Sequence, residues 1–545
     1  MMSIFTVKGN VIDLFSQTIY SAEIEVGDQK ILKINKIEKD PNLPYILPGF
    51  IDAHIHIESS MLIPSEFAKI AVQHGTVATV SDPHEIGNVL GLEGVIFMIE
   101  NSKKVPFHFY FGVPSCVPCT SFETSGATIG LKEIEHLFES YDLKYLSEMM
   151  NYPAVLANES LVMDKISLAK KYNKPVDGHA PGLMGEEAIQ YIKAGITTDH
   201  ECFKLDEALH KLKNGMKIII REGSAAKNFD ALHPIITTHT KDVMLCSDDK
   251  HPDELIHGHI NLLVKRAIKE NHNLFKVLSC ASLNPIEHYN LDVGLLRLGD
   301  SADFIMVNNL TDFSILMTVI KGKKVFEQGQ VNFNSVKETA LNHFNAQKKQ
   351  VEEFEVPVQG EEILLIKVID KQLLTEKEMV KPKIENNLVV TDLEQDILKI
   401  AVVNRYQNNK PSLGFVKNFG LKSGAIASCV AHDSHNIVAV GVDDESICQA
   451  VNAIIENKGG IAFANKEVVH TLALPIGGIM SNKDGYEVAK KYENLNEIVK
   501  NNQCTLTAPF MTLSFLALLV IPHIKLSDKG LFDVDQFRLI SLFSH

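Results

Sequence analysis

Two histidines placed two positions apart are the first candidates for chemistry in this chain. His54 and His56 lie in the run LPGFIDAHIHIE, residues 47–58, which is apolar and follows a Pro-Gly pair, so it predicts a buried strand. Side chains on a strand alternate between its two faces, so both imidazoles point the same way, at a separation that one metal ion can span. The alternative is a pair of hydrogen-bonded polar residues at a strand end.

The surrounding pattern predicts an α/β fold built on a (β/α)₈ barrel. Strand-like runs recur after the first one, and helical patterns separate several of them, as is typical of parallel β/α units. Eight such units in roughly 250 residues fit a barrel in size and count. A doubly wound sheet competes, but it needs no particular count of eight. The predicted strands cover residues 46–57, 76–81, 107–113, 145–150, 175–179, 196–200, 217–221 and 242–247.

The barrel, predicted over residues 48–298, is flanked by segments of a different kind. Residues 1–47 and 299–335 alternate apolar and polar positions, which predicts strands that pair with each other in a small β-sandwich. Residues 336–350 are polar and predict a helix that leads the chain outward. Residues 350–545 predict a separate C-terminal α/β domain.

Composition and charge limit the class of protein. The 545 residues are 45% hydrophobic and 22% charged, as in globular proteins, and a net charge of −15 disfavours a nucleic-acid partner. No signal segment is evident and the longest apolar run, residues 515–522, is too short to span a bilayer, so no membrane association is expected. Eight scattered cysteines predict a reduced, cytoplasmic protein in which Cys116 and Cys119 are structural.

Polar residues gather where the predicted strands end, which is where catalytic groups of such barrels lie. Clustered buried charges are costly without a metal or partner, so their joint placement predicts metal-assisted hydrolysis. Four histidines, a bridging carboxylate and an aspartate can hold two divalent ions, and a nearby carboxylate can transfer protons. Zn, Mn and Fe all suit such ligands, and the residues alone do not choose among them.

Longer strings resemble the amidohydrolase superfamily and, within it, the adenine deaminase family. The resemblance covers essentially the whole chain. The strings include PGFIDAHIH (48–56), DPHEIGNV (82–89), DGHAPG (177–182), REGSAAKN (221–228), DDKHPD (248–253), SCVAHDSHN (428–436) and PFMTLSF (509–515).

The resemblance implies conversion of adenine to hypoxanthine and ammonia in purine salvage, at a binuclear Mn²⁺ or Fe²⁺ centre. It places metal ligands at His54, His56, His179, His200 and Asp248. Many relatives bridge the metals with a carboxylated lysine on strand four. That strand end carries no lysine here, and Glu148 is where a carboxylate could take the role. The expected assembly is a homodimer.

The mechanistic hypothesis makes Asp248 and Glu85 the catalytic residues. A bridging hydroxide attacks C6 of adenine, and Asp248 relays its proton towards a ring nitrogen or the departing amine, a task that Glu85 or Asp82 could share. Asp82, Arg221, Glu222 and Ser224 are predicted to bind substrate, although the segment 221–224 could instead end its strand with an internal ion pair.

The sequence leaves alternatives for the role of two C-terminal histidines and for the activity of the protein. His432 and His435 either cap the barrel mouth over the substrate or stabilise their own turn. A cyclic amidase or deacetylase of the same superfamily is the enzymatic alternative, and Glu148 and the long C-terminal region speak against it. A non-catalytic scaffold with a relic site is the other alternative, which a missing ligand would support, and none is missing.

Overall fold

The computed structural model describes residues 4–544 and opens with four strands that precede the barrel. β1 pairs antiparallel with β2, β2 pairs antiparallel with β3, and β4 runs parallel to β1. These strands are β1 (Phe5–Asp13), β2 (Thr18–Gly27), β3 (Lys30–Lys36) and β4 (Tyr45–Pro48).

Eight parallel strands then close into a barrel, which confirms the predicted architecture. Ladders join β5 to β6 and β7, β8 to β9, and β10 to β11 and β12. Bridges Val113–Leu146, Val176–Ile196 and Ile55–Asp248 join these groups and close the circle. The strands are β5 (Phe50–Ile55), β6 (Thr76–Ser81), β7 (His108–Phe111), β8 (Leu146–Met149), β9 (Val176–Gly178), β10 (Thr198–Asp199), β11 (Lys217–Arg221) and β12 (Val243–Cys246).

The strand predicted over residues 46–57 is divided at Gly49, so that β4 lies in the flanking sheet and β5 in the barrel. A Cβ on Gly49 would lie 2.3 Å from Val77 Cγ1, so only glycine lets the chain pass this close to β6. All six residues of β5 are buried, as expected for a parallel strand covered on both faces.

Helices connect the barrel strands and cover their outer faces. They are α1 (Pro64–Ala71), α2 (His84–Leu90), α3 (Leu92–Ser102), α4 (Leu131–Ser140), α5 (Tyr152–Leu156), α6 (Ser160–Lys171), α7 (Gly185–Ala194), α8 (Leu205–Lys213), α9 (Phe229–Leu232), α10 (Ile235–Thr238), α11 (Pro252–Leu255), α12 (Ile260–Lys269), α13 (Leu274–Leu278) and α14 (Asn284–Tyr289).

The strands before and after the barrel join in one eight-stranded sheet. β13 pairs antiparallel with β4 and so links the two segments. The strand order is β16-β15-β14-β13-β4-β1-β2-β3, and Val11, Ile24 and Phe304 belong to an apolar core of this unit. The later strands are β13 (Phe304–Val307), β14 (Ile315–Ile320), β15 (Lys323–Glu327) and β16 (Gln330–Val331).

The helix predicted for residues 336–350 is wrong, because this segment forms neither helix nor strand. Its backbone groups bond outside the segment: the amides of Asn345 and Ala346 donate to Arg405 O, and the Leu341 carbonyl accepts from Gly477. Such bonds satisfy backbone groups that a helix would otherwise pair internally.

The remainder forms a C-terminal unit around a second eight-stranded sheet, of order β18-β17-β22-β21-β24-β23-β25-β26. Its helices are α15 (Asp444–Asn457), α16 (Gly485–Asn501) and α17 (Pro509–Ser514). Its strands are β17 (Ile363–Val368), β18 (Thr375–Val380), β19 (Lys383–Glu385), β20 (Leu388–Val390), β21 (Ile397–Val403), β22 (Ser412–Lys417), β23 (Ala425–Ser428), β24 (Ile437–Gly441), β25 (Ile461–Ala464), β26 (Val469–Leu472), β27 (Ile524–Ser527), β28 (Gly530–Asp533) and β29 (Arg538–Ile540).

This unit packs against loops that follow the barrel strands. Ser481 N donates to Met61 O, and Asn436 Nδ2 donates to Thr124 O. One continuous apolar core includes residues of both parts, among them Met149 and Phe515.

Among the helices described in residues 4–544, none has the length and apolar character needed to cross a membrane.

Candidate metal centre and active site

Six predicted metal ligands converge at the carboxyl end of the barrel. Each lies on a barrel strand or within two residues of its end, and none is more than 5% exposed. They are His54 on β5, His56 just after it, Glu148 on β8, His179 after β9, His200 after β10 and Asp248 after β12.

Glu148 stands at the centre of this cluster. Its Oε1 lies 3.3 Å from His56 Nε2, and its Oε2 lies 2.8 Å from His179 Nδ1 and 3.2 Å from His200 Nε2. A single carboxylate therefore contacts imidazoles from three different strands, as a ligand shared by two ions would.

Asp248 lies on the other side of the first-strand histidines. Its Oδ1 is 3.3 Å from His56 Nε2 and 3.7 Å from His54 Nε2, and its Oδ2 accepts from Arg221 Nη1 at 2.6 Å. The backbone of Asp248 is left-handed, with φ of 51°, a conformation that aspartate adopts more readily than most residues. Its amide donates to His54 O, which ties the end of β12 to β5.

The donor set fits divalent cations. Ligand atoms of His54, Glu148 and His200 lie within 4.8 Å of one another, as do those of His54, His56 and Asp248. The Nε2 atoms of His54 and His56 are 3.2 Å apart, so a cation between them satisfies two crowded lone pairs. A set of imidazoles and carboxylates without thiolate suits Mn, Fe or Zn better than an all-oxygen calcium cage.

The two carboxylates are held ionised by their neighbours. Burial raises the pKa of Glu148, but the charge and hydrogen bond of His179, with bonds from His200 and His56, hold that pKa well below its usual range. Burial likewise raises the pKa of Asp248, and the Arg221 guanidinium outweighs it, so this pKa also lies well below its usual range. Both groups are thus unprotonated, as metal ligands must be.

A small cavity beside this cluster is walled partly by the C-terminal unit. His56, Glu148 and Asp248 line one side, and His432, Asp433 and Phe515 are among the residues of the other. Its free volume is about 20 Å³, close to the space one water occupies. The barrel and the C-terminal unit therefore meet at the candidate metal centre.

Both predicted catalytic residues, Asp248 and Glu85, line this cavity. Glu85 is the one that contacts the C-terminal unit, through His432 and His435. It belongs to the first turn of α2, and its Oε1 is 3.4 Å from His84 Nε2. Burial raises the pKa of Glu85, but the charges of His432, His84 and His435 hold it well below its usual range. Asp82, just before it, places Oδ2 3.0 Å from His84 Nδ1.

The residues of the predicted substrate-binding segment 221–224 lie in different surroundings. Arg221 is buried and bonds the carboxylates of Glu201 and Asp248. Glu222 pairs with Arg266 at 3.1 Å, and Ser224 donates to Glu254 at 3.2 Å. Glu222 and Ser224 are not among the residues lining the cavity, so the structure does not bring them to the metal ligands.

Three residues without an assigned role in the sequence analysis also enter the site. Glu201 Oε1 lies 3.4 Å from His200 Nε2, and its position directly after a ligand histidine is a signal that could have found it. His84 lies between Asp82 and Glu85, and its Nε2 is 3.7 Å from Asp433 Oδ1. Asp433 comes from the C-terminal unit, and its residue type alone gives no such signal.

A closed parallel barrel that carries four histidines and two carboxylates at its carboxyl end defines a metal-dependent hydrolase of the amidohydrolase class. The model described as the amidohydrolase family matches residues 45–325, and that of the adenine deaminase C-terminal domain matches residues 372–538.

Relatives that match nearly the whole chain identify its family within this class. An adenine deaminase of Sulfurovum sp. strain NBC37-1 is 53% identical over 98% of each chain, and that of Methanosarcina mazei is 50% identical over 98% of this chain and 99% of its own. A solved beta-aspartyl dipeptidase from Fervidobacterium islandicum is 16% identical, with a TM-score of 0.48 over 62% of this chain and 100% of its own. The chain belongs to the adenine deaminase family.

Proposed function

We propose that this chain hydrolyses adenine to hypoxanthine and ammonia, in purine salvage. The observation that carries the proposal is the set of six clustered donors, His54, His56, Glu148, His179, His200 and Asp248, of which all but His54 line one cavity. Relatives named adenine deaminase, about half identical over nearly the full length, support adenine as the substrate.

The same six residues would hold two divalent ions. Their imidazole and carboxylate donors suit Mn, Fe or Zn, and we propose Mn²⁺ or Fe²⁺ because the resemblance to the adenine deaminase family implies these metals. Bound there, such ions polarise water and lower its pKa towards neutrality. Glu148 is the proposed shared ligand, because it contacts His56, His179 and His200.

The protein residues manage the protons of the reaction. The oxygen of water bonds to C6 of adenine as Asp248 takes one of its protons and passes it to the ring nitrogen N1. The second proton then passes to the exocyclic amine, the bond between C6 and that nitrogen breaks, and ammonia leaves as the C6=O of hypoxanthine forms. Arg221 holds Asp248 from the far side and so keeps Oδ1 directed at the histidines. Glu85, whose carboxylate also lines the cavity, is the proposed second proton carrier.

We propose supporting roles for the other residues that were predicted to bind substrate. Asp82 orients His84 through the contact between Oδ2 and Nδ1. Glu222 and Ser224 support the loop after β11 through Arg266 and Glu254. A cytoplasmic location is supported by eight buried cysteines that are all free thiols, and the homodimer stays a prediction.

The deciding experiment incubates metal-loaded protein with adenine and measures ammonia and hypoxanthine. Stoichiometric release of both products is expected. Hydrolysis of a cyclic amide without ammonia from adenine would favour the amidase alternative. Full metal occupancy without turnover of either compound would favour a non-catalytic scaffold.

A further inference from the structure

The C-terminal unit places two histidines against Glu85, and neither has a role in the proposed reaction. His432 and His435 lie in the buried segment 431–436 between β23 and β24. His432 Nδ1 contacts Glu85 Oε1, and His435 Nε2 lies 2.6 Å from Glu85 Oε2. Each oxygen of the Glu85 carboxylate therefore has its own imidazole.

The tautomer of His435 follows from its contact with Glu85. An ionised carboxylate only accepts hydrogen bonds, so Nε2 carries the hydrogen that points at Glu85 Oε2. Nδ1, which lies 3.2 Å from the Ala431 amide and 3.1 Å from the Cys429 carbonyl oxygen, is then the acceptor for the Ala431 amide. An ionised carboxylate accepts from both rings, and two such bonds fix its position and plane.

The second edge of the His432 ring, which carries Nε2, faces away from Glu85. The ring stacks on Phe515 with centroids 4.5 Å apart, and its Nδ1 is directed at Glu85. Its Nε2 is buried without a hydrogen-bond partner among the described residues, and it lies 3.7 Å from Asp249 Oδ1. The residue lines the cavity that also contains Glu148 and Asp248. A buried polar atom without a partner is costly, and a ligand in the cavity would supply one.

We propose that the C-terminal unit completes the active site through these two residues: His435 positions Glu85, while His432 both positions Glu85 and contacts the bound purine through Nε2. This inference rests on the proposed function. It also explains why the C-terminal unit packs over the barrel mouth, since Glu85 would otherwise lack both partners.

Conservative substitutions separate the positioning of Glu85 from the contact with the purine. Asparagine in place of histidine puts its side-chain amide near the position of Nδ1, and glutamine puts its amide near the position of Nε2. His435→Ala should lower kcat roughly tenfold with little change in KM, because one hydrogen bond to a charged group is lost. His435→Gln should restore most of the lost kcat. His432→Asn keeps the Glu85 contact and loses the Nε2 edge, so KM should rise about tenfold while kcat stays near the original value. His432→Gln should show the reverse, with the larger loss in kcat.

All variants are assayed as holoenzymes for ammonia release from adenine, with metal content and Tm measured on the same samples. His470→Asn, at an exposed position of β26, is the matched control and should match the original enzyme. Wild-type kcat and KM in every His432 and His435 variant would overturn the inference, as would losses that merely follow reduced metal content or Tm. Absence of turnover in the original enzyme would instead overturn the proposed function, so the two failures are distinguishable.

Discussion

At the residue scale, Asp248 and Glu148 are both buried carboxylates at strand ends, but their contacts assign them different work. Asp248 is shared between the histidines of β5 and Arg221, whereas Glu148 contacts histidines only, from three strands. Asp248 is thus the better candidate for proton transfer, and Glu148 for holding two ions together.

Replacing Asp248 by asparagine should reduce turnover about 10²- to 10⁴-fold, the usual range for loss of a general acid or base. The fold should persist, because asparagine has the same shape and also accepts left-handed φ. Ammonia release per mole of bound metal is the measurement. Near-normal turnover would remove Asp248 from the mechanism.

Replacing Glu148 by alanine should lower the bound metal from two ions per chain to one or none, because a shared ligand is lost. Elemental analysis of purified protein measures the ratio. Glu123→Gln changes another buried carboxylate outside the proposed donor set and should keep the original metal content. Two retained ions in the alanine variant would argue against Glu148 as the shared ligand.

At the element scale, the division between β4 and β5 positions the histidines of the first barrel strand. Gly49 lets β5 approach β6 closely, and β5 carries His54 at its penultimate position. The loop after β7 holds Glu123, whose pKa is raised to about 8 by burial and then by the charge of Asp433.

Gly49→Ala should destabilise the protein by about 1–3 kcal/mol, because the new Cβ overlaps Val77 in a packed core. Gly87→Ala is the control: a Cβ there meets its nearest neighbour at 3.5 Å, and alanine favours the helix. Tm or denaturant unfolding of both variants provides the comparison. Equal stability of the two would contradict the steric account of Gly49.

Glu123 should make stability depend on pH. Because its folded pKa of about 8 exceeds the unfolded value, the folded state binds the extra proton, and stability falls as pH rises from about 4.5 to 8. Glu123→Gln removes this loss of stability. The Tm of the variant minus the Tm of the original protein should therefore increase from pH 5 to pH 8. A difference in Tm that does not change with pH would show that Glu123 ionises normally.

At the scale of the whole molecule, the C-terminal unit covers the barrel mouth. The free volume between them is about 20 Å³, whereas small-molecule pockets occupy several hundred. We predict that segments 431–436 and 515–521, which are buried and contribute His432 and Phe515 to the cavity wall, move outward as substrate binds and then pack against it.

Hypoxanthine bound to the holoenzyme should therefore change hydrogen exchange in these two segments, with slower exchange once the ligand is packed beneath them. Exchange measured by mass spectrometry with and without saturating ligand tests this. Peptides from the exposed strand β26 should be unaffected. Identical exchange in both segments would mean that the purine enters by another route.

The sequence by itself determined the barrel and the residues at its strand ends. Period-two and β/α patterns are local signals, and a barrel brings all carboxyl ends together, so His54, His179, His200 and Asp248 could be predicted to meet. Local signals could not show that residues 336–350 bond to Arg405 instead of forming a helix, or that Glu222 pairs with Arg266 away from the cavity. The contact between Glu85 and His432 joins residues 347 positions apart. Only the packing of the C-terminal unit on the barrel decides that contact, because it depends on how two surfaces that are distant in the sequence fit together.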